Sequence, residues 1–325
     1  MRDNNRPNTT VPNTTVPNTT VPNNNAGASN GTQRRAQRAN RTNQTNQTNQ
    51  TNRTPIRTAR VASHIVLALG AFFMVLPFIW QLLTSGKTLR EATIVPPVIF
   101  PESWQWENFA KFFDQLPVGM LFTNSLASLV VRVIGQVLIA SLAAYGLARL
   151  KFPGAKIVLG LFLMVLMVPP QMFIIPQYEV IRDLGWLNSV QALALPGIFS
   201  SFGMFILYQF MRSLPSELDE AAKLDGANPL QIYARIIMPL CAPAIAAVTI
   251  MTSLFAWNDL LWPMVVNTDP NRMTLSVGLA TLQGAQSTDI PTLMAGSLLA
   301  LLPMVIIFLL LQKQFIRGIA MSGSK

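Results

Sequence analysis

The 325-residue chain is 50% hydrophobic and 12% charged, with a mean hydropathy of +0.37, a balance unlike that of a soluble globular domain. Cys241 is its single cysteine and His64 its single histidine. An intrachain disulfide, a cysteine metal cluster, a His-rich metal site and most histidine-dependent catalysis are thereby excluded.

The net charge of +10 has the look of a nucleic-acid signal, but its location argues otherwise. Arg2, Arg6, Arg34, Arg35, Arg38, Arg41, Arg53, Arg57 and Arg60 all precede the first hydrophobic run, opposed there only by Asp3. Residues 1–60 are of low complexity: PNTTV repeats three times from Pro7, and TNQ three times from Thr42. Such Asn/Thr/Pro-rich sequence cannot bury enough apolar area to offset its ordering entropy, so it is expected to be a disordered tail. Asn-x-Thr sequons occur in it, but the arginines beside the first apolar run place it on the cytoplasmic side. A solvated tail with topogenic charge accounts for it; an RNA-binding arm or a lipid-headgroup contact is the alternative. No cleavable signal peptide is visible, because the first apolar run begins too late.

From residue 61 the sequence predicts an all-α membrane protein with six transmembrane helices, at about 62–84, 123–148, 156–178, 189–211, 243–265 and 291–312, each near the ~20 residues that cross a bilayer. The first is continuous and apolar, with Trp80 as an interfacial aromatic. Residues 85–121, rich in Trp and Phe, read as amphipathic helices on the outer surface or a contact for an external partner. The second span is rich in Ala, Ser and Gly, which lets helices approach closely. Pro169-Pro170 must bend or break the third near its end. A short surface helix ending at Gly185 follows it.

Between the fourth and fifth spans lies a segment, 214–243, in which charged and apolar residues mix. Two short helices can be read there. The first starts near Ser213 as N-cap, takes Pro215 in its first turn and Glu217, Asp219 and Glu220 at its positive end, and stops at Gly226. The second opens with Asn228 as N-cap, Pro229 at the first helical position and Gln231 completing a capping box, and Pro239 limits it. Joined by Asp225-Gly226-Ala227, the pair forms a compact knob for docking. The fifth span carries Trp257-Asn258-Asp259; the sixth is plain and apolar around Pro303.

Lys and Arg set the orientation. With the tail inside, the inner side also receives Arg149, Lys151, Lys156, Arg212, Lys223, Arg235, Lys313, Arg317 and Lys325. The outer side keeps only Lys87, Arg90, Lys111, Arg182 and Arg272. Both termini and the knob are therefore expected in the cytoplasm.

No phosphate-cradling glycine-rich loop with Lys-Ser/Thr is present, so ATP is not bound by that route. Ionisable residues inside spans are costly and informative: Arg132 and Asp259 are the two candidates, either as an ion relay or substrate contact, or as a paired structural set. Asn124, Gln136, Gln171, Ser200, Ser201, Thr252, Ser253, Trp257 and Asn258 could line a polar pathway, although small polar residues also serve helix packing. Met164, Met167 and Met172 read as packing, and His64 as an interfacial residue without a special role.

The knob reads Glu220-Ala221-Ala222, three residues, Gly226, nine residues, Ile236, one residue, Met238-Pro239. This resembles the EAA loop of the membrane subunits of ATP-binding-cassette importers, with Met238 where Leu is usual. AAYGLARLKFPGAK (143–156), PPQMFIIPQYEVIRDLGWLNS (169–189), LPSELDEAAKLDGA (214–227), WNDLLWP (257–263) and FLLLQKQFIRGI (308–319) are similar to the carbohydrate-uptake branch, in particular the maltose-permease G-subunit type. The terminal GIAMSGSK departs from the usual ending of that type, and the repetitive tail has no counterpart in it.

The resemblance implies a type I importer permease fold and a non-catalytic subunit of a bacterial plasma-membrane transporter. It further implies a second, homologous six-span subunit, two ATPase subunits that use ATP and Mg, and an extracytoplasmic sugar-binding protein, with membrane lipid around the spans and no nucleic acid. The EAA loop is implied to be a coupling helix seated on an ATPase subunit, with Glu220, Ala221, Ala222, Asp225 and Gly226 as docking positions. The competing readings are an importer for another solute such as a polyamine, a gradient-driven carrier, and a scaffold without transport.

Overall fold

A computed structural model describes residues 55–284 and 288–322, with side chains over 61–284 and 288–313. Of the tail expected to be disordered over 1–60, residues 1–54 lie outside these residues, while 55–60 are helical and open the first helix. The chain divides into one unit up to Met74 and another from Val75. The described part of the first is the leading stretch of helix α1, Pro55–Ser85, which runs unbroken through Pro77. Phe72 and Phe73 meet edge to face there, and the side chains from Val61 on are exposed.

Among the described residues of the second unit the regular elements are helices, joined by turns and loops, apart from an isolated bridge between Gln283 and Thr288. After α1 come two short helices, α2 (Leu89–Thr93) and α3 (Glu107–Gln115), as the aromatic-rich stretch predicts. A capping box between Thr88 and Glu91 opens α2, and the Glu91 carboxylate also accepts from the Glu102 amide at 2.8 Å. Lys87 is buried: its ammonium donates to the Val98 carbonyl at 2.7 Å and lies 4.3 Å above the Trp80 ring. Burial holds its pKa below the ordinary lysine value, against the pull of Glu91.

The central helix is α4, Val118–Arg149. There follow α5 (Ala155–Val165), a 3₁₀ turn at Pro170–Phe173, α6 (Ile174–Asp183), α7 (Val190–Ala194) and α8 (Ser201–Ser213). Then come α9 (Glu217–Leu224), α10 (Pro229–Ile232), a π turn at Tyr233–Ile237, α11 (Met238–Leu240) and α12 (Ala242–Trp257). Helices α13 (Leu261–Val266), α14 (Leu275–Thr281) and α15 (Ile290–Ser322) complete the chain, α15 passing through Pro303. Among the described residues three helices, α1, α4 and α15, are long and apolar enough to cross a membrane, or up to six spans if each bent pair counts as one.

The broken spans have local causes. Pro169-Pro170 separates α5 from the following helical stretch by a 94° bend, as the sequence requires. Pro196-Gly197 precedes a 46° bend before α8, and a 77° bend at Cys241 precedes α12. The predicted fifth span differs most: its helix stops at Trp257, Asn258 returns its side-chain amide to the Leu254 carbonyl at 2.9 Å, and Asp259 stands in the break before α13.

Helix α4 packs against α7, α8, α12 and α14. Its small residues Ala140, Ser141 and Ala144 are fully buried, which allows the backbones to close on one another. Large apolar side chains of α4, α5 and α15, such as Val131, Ile157, Leu161, Leu309 and Leu310, remain exposed. In water such a surface would be an aggregation liability; it suits a hydrocarbon environment.

Candidate functional site

The 214–243 segment folds as a helix pair, with corrections to its ends. Ser213 is not an N-cap: it ends α8, because Leu214, preceding Pro215, is held extended at ψ 144°, and α9 begins only at Glu217. Pro239 does not end the second helix either. The π turn carries the chain into α11 with the Met238 N–H bonded to the Tyr233 carbonyl, so the missing proline donor is absorbed and the break moves to Cys241. Pro215, expected in the first turn, precedes the Ser216 N-cap instead, and the glycine turn and the capping box hold. Gly226 takes φ +81°, which a residue with a Cβ adopts only under strain. Asn228 and Gln231 form the capping box, each bond 2.9 Å.

One face of this segment is tied down by three residues of α4 at i, i+4 and i+8, which share a helix face. The Ser141 and Tyr233 hydroxyls are 2.7 Å apart, the Tyr145 hydroxyl donates to the Pro229 carbonyl at 2.9 Å, and Arg149 pairs with Asp219 at 2.9 Å. Arg149 also donates to the Leu214 carbonyl at 3.0 Å. Ala222 is buried in the same core as Ala144, Met211 and Ile237. The opposite face is bare: Glu220, Ala221, Asp225 and Gly226 are exposed, as are Leu224 (90%) and Leu230 (65%). Of the five proposed docking positions, four thus point outward, while Ala222 seats the helix on the bundle.

The second locus lies midway along α4. Arg132 pairs with Asp259 at 2.9 Å, joining residues 127 apart in sequence, and two cavities meet at Arg132, with Asp259 lining the second of them. One, of about 290 Å³, is lined by Arg132, Gln136, Ser200 and Thr252 among apolar residues including Phe199, Phe202 and Phe255. The other, of about 270 Å³, is lined by Arg132, Asp259, Gln171, Gln177 and Trp262. The guanidinium lies flat against Gly197, where an added Cβ would collide with it.

Other pathway candidates are engaged elsewhere. Asn124 donates to the Asn271 and Met273 carbonyls, and the Trp257 indole to the Ala300 carbonyl at 2.9 Å. Ser253 is buried and Ser201 is buried in α8, neither lining these two cavities; Asn258 closes the end of α12.

A sequence comparison decides the family. Residues 136–320 match the model of the binding-protein-dependent transport system inner membrane component. The chain belongs to that family. The permease is also 32% identical over 256 residues to the diacetylchitobiose uptake system permease protein NgcG of Streptomyces coelicolor, covering 78% of this chain and 84% of that one. To the lactose transport system permease protein LacG of Rhizobium radiobacter it is 32% identical, covering 81% and 95%. It is 29% identical to the sn-glycerol-3-phosphate transport system permease protein UgpE of Pectobacterium atrosepticum, covering 80% and 95%. A crystal structure of a bacterial ABC transporter involved in the import of the acidic polysaccharide alginate contains a chain with the same fold. Its TM-score is 0.69 at 21% identity, covering 81% of this chain and 98% of that one.

Two features of the permease escaped sequence reasoning. Arg149 was visible only as a topogenic charge, yet it is the clamp on Asp219. Tyr145 and Ser141 lay inside an apolar run; their spacing with Arg149 was the available signal.

Proposed function

We propose that this multi-pass permease forms half of the translocation path of an ATP-driven importer for a sugar or sugar-like solute, with the 214–243 segment as its contact to an ATPase subunit. The observation that carries the reading is the two-sided build of that segment. Its underside is fastened to the main helix α4 by the Ser141–Tyr145–Arg149 ladder, while its tip offers apolar Leu224 and Leu230 beside acidic Glu220 and Asp225 to a partner. An exposed apolar patch with a polar rim is the build of a protein–protein contact. A load applied at the tip passes into α4, which touches α8, α12 and both cavities.

The permease is then a non-catalytic lever. ATP and Mg are consumed in the partner, and the nucleotide acts here only through its differential affinity for two arrangements of the spans. A homologous six-span subunit would complete the path, and an extracytoplasmic binding protein would deliver cargo. The Lys/Arg distribution supports a cytoplasmic tip and cytoplasmic termini. The uptake of a disaccharide or a polyol phosphate named for the relatives supports polyhydroxyl cargo. A polyamine has no acidic cage here, since Asp259 is neutralised by Arg132.

The test is affinity isolation of the tagged chain in mild detergent with identification of what accompanies it. A nucleotide-binding ATPase and a second six-span subunit are the expected companions. A homo-oligomer without an ATPase would replace this reading by a carrier or a scaffold.

A further inference from the structure

From the cavities we infer that Arg132, Asp259 and Gln136 form a recognition site for vicinal hydroxyl groups of a neutral sugar ring, a reading that rests on the importer function above. Arg132 and Gln136 are one helical turn apart on the same face of α4 and both line the larger cavity. Gln136 is 7% exposed, and its amide makes no hydrogen bond to any described residue. Although the residue is largely buried, its amide atoms keep access to the cavity, where they are free to bond a group that is not part of the chain.

Arg132 is in the same condition. Only its Nη1 is engaged, to Asp259 Oδ2, which leaves Nε, Nη2 and the other carboxylate oxygen without a partner among the described residues. Gly197 keeps the flat guanidinium accessible to the cavities on either side.

The chemistry of this set selects its ligand. A hydroxyl both donates and accepts, so neighbouring hydroxyls can take a bond from the guanidinium and give one to the carboxylate at once. The net charge of the pair is zero, so neither a free anion nor a free cation gains a net Coulomb attraction there, whereas a neutral hydroxyl can use donor and acceptor together. Phe199, Phe202 and Phe255 add apolar surface for the faces of a ring. A volume of about 290 Å³ stands at the lower edge of the ~300–1,000 Å³ usual for small-molecule sites, so a chain of sugars would pass one ring at a time.

The experiment uses the complete importer with its own binding protein in proteoliposomes. Uptake of lactose, maltose, diacetylchitobiose and glycerol 3-phosphate first identifies the preferred solute, and its monodeoxy analogues are the probes. For each analogue the ratio of sugar to deoxy-sugar uptake is compared between wild type and the variants Gln136→Leu and Arg132→Gln. Discrimination by the binding protein is common to all three complexes and cancels.

The site predicts at least one analogue for which wild type discriminates by about tenfold more than the variant, because a site built to bond a hydroxyl rejects a substrate lacking it. Ratios unchanged for every analogue in both variants would overturn the site while leaving the importer reading intact. Loss of the second permease subunit from purified Arg132→Gln complex would also overturn it, by assigning the free donors to a subunit interface. Preferred uptake of glycerol 3-phosphate would overturn the neutral-ligand assignment, and wild-type uptake of none of these solutes would remove the carbohydrate reading together with this site.

Discussion

Helix α4 carries two arginine–aspartate pairs, each closed at 2.9 Å: Arg149–Asp219 at its end and Arg132–Asp259 midway. They differ in what the arginine does with its remaining donors. Arg149 spends a further one on the Leu214 carbonyl, within a ladder that also includes Tyr145 and Ser141. Arg132 spends none and borders two cavities. The first pair is a clamp, the second an exposed set of donors. Even the clamp is imperfect, since Arg149 Nε and Asp219 Oδ1 are buried without partners. It therefore fixes geometry at a cost in stability, the usual balance for a buried ion pair.

Breaking the clamp from one side should have the largest effect. Asp219→Ala leaves the Arg149 charge buried and unpaired, at a cost of about 3–5 kcal/mol. The expected outcome is a clear fall in the unfolding temperature and rapid proteolysis within 214–243 in membranes. The double variant Arg149→Met/Asp219→Leu removes both charges and should recover most of that stability; failure to recover would mean that the charges do more than hold position. Next comes Gly226→Pro. Proline is fixed near φ −65° and cannot occupy φ +81°, so the tip must refold at about 1–3 kcal/mol or more while both arginine pairs stay intact. Membrane insertion should be normal and transport-coupled ATP hydrolysis lost; unaltered coupling would refute the lever.

Asp259→Asn is expected to be milder than Asp219→Ala, because these side chains are 15% and 20% exposed and the cavities admit solvent. About 1 kcal/mol of stability should go, visible as a small thermal shift, with a disproportionate loss of uptake. Equal thermal losses at the two pairs would erase the contrast drawn here. Tyr145→Phe removes one rung of the ladder, the bond to the Pro229 carbonyl, and should cost about 0.5–1.5 kcal/mol with coupling weakened but present, measured as the ratio of uptake to ATP hydrolysed.

Local features of both regions were legible in the sequence because their causes are local. Asn228-Pro229 with Gln231 can hardly do other than start a helix, Gly226 marks a positive φ, and Pro169-Pro170 marks a break. Arg132 and Asp259 stood out because charges within apolar runs are rare. Their closure into one pair was one of two open readings, since nothing local links positions so far apart. The clamp was hidden for the same reason. Ser213 misled because a good capping residue is also a common helix-ending residue, and Pro215 decided between the two by holding Leu214 extended. Trp257, one of the pathway candidates, instead donates its indole N–H to the Ala300 carbonyl of α15.

The π turn at Tyr233–Ile237 has a consequence for the phase of everything beyond it. It stores one surplus residue in an otherwise helical track, and an α-helix turns by about 100° per residue. Excising a single residue there would let the track relax to ordinary winding and turn the chain that enters the Cys241 bend by roughly that angle. Tyr233 and Ile237, at the two ends of the turn and both buried, could not then both keep their places, and the Ser141 hydroxyl would lose its partner. The surplus residue thus acts as a keyway: it fixes the angular setting at which the docking segment is seated on the main helix.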